Sequence, residues 1–87
     1  MDPSSLTDEQ RRALARARIT WNLRLCERRY HETASLIESA AICAADAGIE
    51  LDEGIALAVE LVPSHRATAA QIGQIFRDTY ERRRPCD

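Results

Sequence analysis

The stretch that decides the fold is TDEQRRALARARITWNLRLCERRY, residues 7–30, which holds the only Trp and seven of the twelve Arg. At about 3.6 residues per turn, it predicts one helix with apolar residues on two separate stripes. The first stripe contains Leu14, Ala17, Trp21 and Leu25, and the second contains Ile19, Leu23, Cys26 and Tyr30. A helix that only covers a core needs one stripe. We therefore expect this helix to be contacted on both sides.

Local signals divide the first half of the chain into two helices. Thr7 and Gln10 have the spacing of a capping box, so helix 1 is predicted over 7–30. An Ala-rich helix 2 is predicted over 33–47, because Gly48 followed by an apolar residue is typical of a Schellman end. No Gly or Pro separates the two helices. They form either one rod or two helices with a break near residues 30–34, and we favour the break.

Two further helices are predicted in the second half. Asp52 is the expected N-cap of helix 3, over 53–62, and Pro63 ends it. Apolar residues cover most of the circumference of helix 3, which predicts a largely buried helix. Helix 4 is predicted over 65–83, with Ser64 or Thr68 at its start. Short connections favour antiparallel packing of helices 2 and 3 and of helices 3 and 4.

These signals predict an all-α fold, a small four-helix domain with a long Arg-rich first helix. At 87 residues the chain makes one domain, with residues 1–6 as a flexible lead, 7–84 as the domain and 85–87 as a tail. Gly73 is expected to allow close helix packing. The predicted core contains Leu23, Cys26, Tyr30, Leu36, Ile37, Ala40, Cys43, Ala44, Ile55, Val59, Val62, Ile72, Phe76 and Tyr80.

Charge is strongly segregated along the chain, although the formal net charge is only −2. Residues 1–31 carry seven Arg against four acids, residues 32–62 carry seven acids and no base, and residues 63–87 carry five Arg against three acids. One interpretation is internal, with the basic first and last helices paired to the acidic middle. The other is that basic and acidic surfaces meet different partners and steer their association. Every basic side chain is Arg, which suits bidentate contacts.

Catalytic and metal-binding patterns are weak. His31-Glu32 resembles the start of the metalloprotease motif, but Ser35 stands where the second His belongs. Ser35 and His31 could meet on a helix, yet no Gly-rich turn offers an oxyanion hole. The odd number of Cys, three, predicts free thiols in a reducing cytoplasm, and no secretory signal or membrane span is visible. We expect a cytoplasmic protein that is not an enzyme and has no metal or cofactor.

Protein binding is the favoured functional hypothesis, as a small regulator or inhibitor. Trp and Arg are enriched at interface centres. The predicted partner-binding residues on helix 1 are Leu14, Arg18, Trp21, Leu25 and Arg28. Their partner is another protein, a protein complex or a second copy of the chain in a homodimer. The competing interpretation buries both stripes inside the domain, with helix 1 as the central helix.

The acidic middle suggests a further mode of binding, in which carboxylates imitate nucleic-acid phosphates on a basic target. Glu50, Asp52 and Glu53, between helices 2 and 3, are the expected contacts. Some small inhibitors encoded by mobile elements use such mimicry. An origin of this chain in a mobile element is therefore one of the hypotheses.

The alternative function is a small DNA-binding transcriptional regulator. Its candidate phosphate contacts are Arg11, Arg12, Arg16, Arg82, Arg83 and Arg84. The sequence pI of about 5.7 lies below the basic range typical of nucleic-acid-binding domains. Helices 3 and 4 resemble part of a helix-turn-helix, but too few residues follow Phe76 to form a recognition helix.

Overall fold

The computed structural model describes residues 6–25 and 33–83. Within these ranges the chain forms four helices and no strand, which confirms the predicted all-α, four-helix fold. The helices are α1 (Asp8–Arg24), α2 (Thr33–Ala47), α3 (Leu51–Leu61) and α4 (Ala69–Arg83). None of the described helices is both long and apolar enough to cross a bilayer.

The start of α1 is the predicted capping box. The Thr7 hydroxyl accepts a hydrogen bond from the Gln10 backbone N–H at 3.1 Å, and the Gln10 side chain accepts one from the Thr7 N–H at 2.9 Å. The described part of the helix extends to Arg24, with Leu25 as its C-cap. The predicted end at Tyr30 and most of the predicted break fall in 26–32, outside the described ranges. The predicted lead and tail are also outside them, except Leu6, which is half-buried.

The end of α2 has the predicted Schellman geometry. Gly48 adopts a φ of 79°, which an L side chain disfavours. The Ile49 N–H donates to the Ala44 carbonyl at 2.9 Å, and the Gly48 N–H donates to the Ala45 carbonyl at 3.3 Å. Ile49 is buried directly after the turn, so this boundary also anchors the chain to the core.

The start of α3 differs from the prediction. The start of α4 decides between the two residues predicted there, Ser64 and Thr68, in favour of Thr68. Glu50, rather than Asp52, is the N-cap of α3, and it makes no side-chain capping bond. Asp52 lies in the first turn, where a carboxylate favours the helix dipole. The α4 helix begins after Thr68, whose hydroxyl and backbone N–H form a second reciprocal capping box with Gln71.

The central helix is α2, because it packs against each of the other three. In the described ranges α1 and α4 do not contact each other, so the interpretation that placed helix 1 at the centre is wrong. The physical reason is side-chain size. Four short side chains of α2 are buried, namely Ala40, Ala41, Ala44 and Ala45, and they let neighbouring helices approach from several directions.

The predicted core is confirmed for its main apolar residues on α2 and α4 and corrected on α3. Ile37, Ile72 and Phe76 are fully buried, whereas Val59 is 37% exposed. The helix α3 is not largely buried, since its buried residues are Gly54 and Ala58. Three of the predicted core residues, Leu36, Cys43 and Ile55, are only partly buried, and Cys26 and Tyr30 lie outside the described ranges. The core also includes residues that were not predicted, namely Ala15, Ile19, Ala41, Ala45, Ile49, Ala58 and Ala67.

The tightest contact between α3 and α4 lies at Gly54, not at Gly73 as expected. A Cβ atom on Gly54 would lie 2.5 and 2.8 Å from two ring carbons of Phe76. A Cβ on Gly73 would meet only Ile55, at 3.9 Å, which is an ordinary contact. Gly54 therefore provides the space for the Phe76 ring. Further along α4, the Tyr80 hydroxyl donates to the buried Ile49 carbonyl at 2.6 Å.

The two glycines make a matched pair of variants. Gly54→Ala should destabilise the fold by about 1–3 kcal/mol, because overpacking forces the Phe76 ring or the backbone to shift. Gly73→Ala should be neutral or stabilising by up to about 1 kcal/mol, because Ala is the better helix former. Urea unfolding followed by circular dichroism measures both. Equal effects of the two substitutions would contradict the proposed packing role of Gly54.

Candidate functional site

The two apolar stripes of α1 have opposite environments. Ile19 and Leu23 of the second stripe are fully buried with their neighbour Ala15. On the first stripe, Leu14 is 59% exposed and Trp21 is 72% exposed. The described fold thus covers one side of α1 and leaves large apolar side chains of the other side in contact with solvent. The expectation that both stripes are internal is therefore wrong for this chain on its own.

A groove of about 510 Å³ lies between α1 and α2, beside the exposed stripe. Its walls carry Leu14 from α1 and Ile42 from α2, and Ile42 is 39% exposed. Small side chains lie between these walls, because Ala15 is buried and Cys43 and Ala47 are half-buried. The full lining is Arg11, Leu14, Ala15, Arg18, Asn22, Ser39, Ile42, Cys43, Asp46 and Ala47, and we call it the α1–α2 groove.

The α1 wall of this groove is positively charged. Arg11 and Arg18 lie on either side of Leu14 in sequence, at helical spacings that place all three on one side of α1. Within the described residues, the one ion pair of Arg11 is a 4.0 Å contact with Asp8, and both side chains are exposed. The carboxylate on the opposite wall, Asp46, is already bound by an arginine. The groove therefore combines apolar walls with unbalanced positive charge.

The thiol of Cys43 keeps the middle of the groove neutral. Its Sγ contacts the Ala15 carbonyl at 3.8 Å, in the geometry of a weak donated hydrogen bond. Burial raises the pKa of the Cys43 thiol, and this outweighs the lowering by nearby Arg18. The group is thus a protonated thiol at neutral pH and a poor nucleophile. It behaves as a small apolar residue, as its sequence context predicts.

Two bidentate ion pairs join basic helices to acidic ones. Arg16 of α1 contacts Glu53 of α3 at 2.5 and 3.3 Å, and Arg83 of α4 contacts Asp46 of α2 at 2.8 and 3.1 Å. Hydrogen bonding to these arginines lowers the pKa of both carboxyls, and the Arg pKa values are raised in turn. Internal pairing of the segregated charges therefore occurs at these two places.

The predicted acidic contacts gather at the start of α3, away from the groove. Glu50 is the N-cap, and Asp52 and Glu53 lie in the first turn, all of them exposed. Carboxylates in this position stabilise a helix through its dipole. Since Glu53 is also bound to Arg16, helix stability and the ion pair explain much of this acidic cluster.

The other candidate residues divide between the groove and the rest of the surface. Leu14 and Arg18 line the groove, and Trp21 follows Leu14 by two turns on the same side of α1. Leu25 is half-buried, Arg12 is half-buried, and the Arg82 side chain donates to the Asp78 carbonyl at 3.2 Å. Arg28 and Arg84 lie outside the described ranges.

Sequence reasoning missed the contribution of α2 to this surface. Ile42 is not among the residues predicted for the core, and its large apolar side chain is the signal in the sequence that could have pointed to it. Its significance depends on the neighbour, because an isolated exposed Ile is ordinary. Only the packing of α1 beside α2 shows that Ile42 and Leu14 flank one depression.

The described part of the chain contains no cluster of three or more His, Cys, Asp or Glu able to hold a metal ion. Ser35 is exposed on α2, and its hypothetical partner His31 is among the residues that are not described. The candidate site is therefore a surface groove with apolar walls and flanking arginines.

Comparison of the chain with protein-family models, curated proteins and solved structures finds no match. The functional proposal consequently rests on the residues and their geometry.

The two ion pairs make the stability of the fold depend on pH in the acid range. The pKa of each carboxyl is lowered in the folded state, so its contribution is present at neutral pH. That contribution is lost as the pH falls through the folded pKa values, which lie below the ordinary values of 3.8 for Asp46 and 4.5 for Glu53. Between neutral pH and about pH 3, the wild type should lose more stability than the Asp46→Asn, Glu53→Gln double variant.

Urea midpoints at several pH values measure this difference. Asp52→Asn is the matched control, because Asp52 is an exposed acid beside Glu53 with no arginine bound to it in the described structure. If Asp52→Asn reduced the acid sensitivity as much as the double variant, the two ion pairs would not be its cause.

Proposed function

We propose that this chain is a small non-enzymatic protein that binds another protein through the exposed side of α1, and that it acts by that binding as a regulator or inhibitor. One observation carries the proposal. Leu14 and Trp21 are mostly exposed, while Ile19 and Leu23 of the opposite stripe of the same helix are fully buried. A partner that covered them would remove large apolar side chains from water, which favours association.

The composition of this surface supports the proposal. Trp and Arg are among the residues enriched at interface centres and among binding hot spots. Here Trp21 and Arg18 occur with Leu14 on one side of α1, and Ile42 extends the apolar area across to α2. Single exposed apolar residues are common, but three of them on adjoining helices, with Arg18 beside them, form a patch of the kind that marks binding sites.

Nucleic acid is the less favoured partner, because some of the arginines proposed to contact phosphate form ion pairs within the chain. Arg16 and Arg83, two of the six candidate phosphate contacts, are bound to Glu53 and Asp46. The Nε and Nη2 donors of both arginines already bind a carboxylate, so phosphate would have to compete with that carboxylate for them. Acidic mimicry is weakened by the same pairs, since Glu53 is one of its three proposed contacts.

Leu14→Glu tests the proposal, with Ala13→Glu as the matched control. Ala13 is the adjacent exposed residue on α1, about 100° round the helix axis and outside the groove lining. Both variants add one carboxylate to an exposed position, so each should remain within about 0.5 kcal/mol of wild-type stability. The full-length protein and both variants are immobilised and exposed to nuclease-treated extract of the source cells.

We expect one specific protein to be retained by the wild type and by Ala13→Glu and to be lost with Leu14→Glu. Retention that is equal for all three folded chains would contradict the proposal, as would retention that is seen with untreated extract and is absent with nuclease-treated extract. Size-exclusion chromatography with light scattering tests the remaining possibility, that the chain binds a second copy of itself. A wild-type dimer that Leu14→Glu dissociates would make the partner a second copy.

A further inference from the structure

We propose that the occupant of the α1–α2 groove is an acidic amphipathic helix of a partner protein. This inference rests on the proposed function, and it adds the chemistry of the partner segment. It is carried by the shape of the groove and by the charge along its α1 wall.

The shape of the groove fits a helix. The lining on α1 runs from Arg11 to Asn22, about 16 Å along the axis, which corresponds to about three helical turns. Small residues between the walls, Ala15, Cys43 and Ala47, leave a depression bounded by Leu14 and Ile42. An amphipathic helix lying in such a depression presents apolar side chains at i, i+3, i+4 and i+7.

An extended peptide has less to bind. Strand addition requires an exposed sheet edge with free backbone donors and acceptors. The regular elements in the described ranges are all helices, whose internal backbone groups are already paired with each other. The groove therefore offers side-chain contacts, and these suit a partner segment whose own backbone hydrogen bonds are satisfied.

Charge complementarity selects an acidic segment. Arg18 makes no ion pair within the described residues, and Arg11 has only the long exposed contact with Asp8. Asp46, on the opposite wall, is bound by Arg83 and does not offset them. Carboxylates along the flank of an incoming helix would meet both arginines while its apolar side met Leu14 and Ile42.

The same charges disfavour a second copy in a symmetric dimer. A two-fold interface brings identical patches together. Pairing this groove with itself would place Arg11 and Arg18 of both copies at one contact, and like charges at an interface oppose binding. A partner with carboxylates avoids this repulsion.

Three synthetic peptides of about 18 residues test the inference, a length at which isolated helices become measurable. The first has Leu at i, i+3, i+4 and i+7 with Glu on the flanks. The second replaces each Glu by Lys, and the third keeps Glu but replaces each Leu by Gln. None contains Trp, so the fluorescence of Trp21, the only Trp of the full-length protein, reports binding next to the groove.

The Glu–Leu peptide should bind with a blue shift of Trp21 emission, at least about tenfold more tightly than the other two peptides. Added salt should reduce the difference in affinity between the Glu–Leu peptide and the Lys peptide. Arg18→Glu should weaken its binding about tenfold. Arg77→Glu, which makes the same charge change on an exposed α4 residue outside the groove, should leave the affinity unchanged.

Several outcomes would overturn the inference: no binding of the Glu–Leu peptide, equal binding of the Lys peptide, or equal effects of Arg18→Glu and Arg77→Glu. A wild-type dimer dissociated by Leu14→Glu would also overturn it, as would Arg18-dependent binding of duplex DNA that displaces the peptide. If the extract experiment retains a Leu14-dependent protein while these peptides fail, only the acidic-helix inference falls. If Leu14→Glu has no effect in the extract experiment, the proposed function falls, and the inference that rests on it falls with it.

Discussion

The burial of four alanines on α2 is the constraint from which the arrangement of the other helices follows. Because Ala40, Ala41, Ala44 and Ala45 project little from the helix, α2 can contact α1, α3 and α4. A helix with larger buried side chains would hold its neighbours further away. The central place of α2 leaves α1 packed mainly on one side, and its outer stripe is exposed as a consequence.

The remaining packing follows the same principle of local space. Gly54 leaves room for the Phe76 ring where α3 meets α4, and Phe76 in turn stacks on Tyr80 with ring centroids 6.2 Å apart. The Tyr80 hydroxyl then satisfies the carbonyl of Ile49, at the turn between α2 and α3. The absence of a side chain at Gly54 of α3 is thus linked, through the rings of Phe76 and Tyr80, to the buried hydrogen bond at Ile49.

Helix boundaries were most predictable where short-range chemistry decides them. The capping residues Thr7 and Thr68 and the C-terminal Gly48 each act on backbone groups within a few residues, so their signals could be read directly. Asp52 misled because α3 begins immediately after the Schellman turn, one residue beyond Glu50, which leaves Asp52 inside the first turn. An acid in the first turn and an acid at the cap look alike in a sequence.

Three-dimensional neighbours were the less predictable part. Periodicity identified both stripes of α1, but it could not tell which one the rest of the chain would cover. Alanine contributes little to an apolar pattern, so the central role of α2 was not apparent. Half of the groove was missed for a related reason. Leu14 and Arg18 could be named from one helix, whereas Ile42 gains significance only beside them.

The two ion pairs also shape the field around the molecule. Asp46 and Glu53 are bound by Arg83 and Arg16, which leaves Arg11 and Arg18 as the charged side chains at the groove that lack a close ion pair within the described residues, whereas Glu50 and Asp52 lie at the start of α3. The groove and the start of α3 therefore differ in the sign of their nearby side-chain charges. An anionic partner surface would be attracted at the groove and repelled at the start of α3, which favours its approach to the groove.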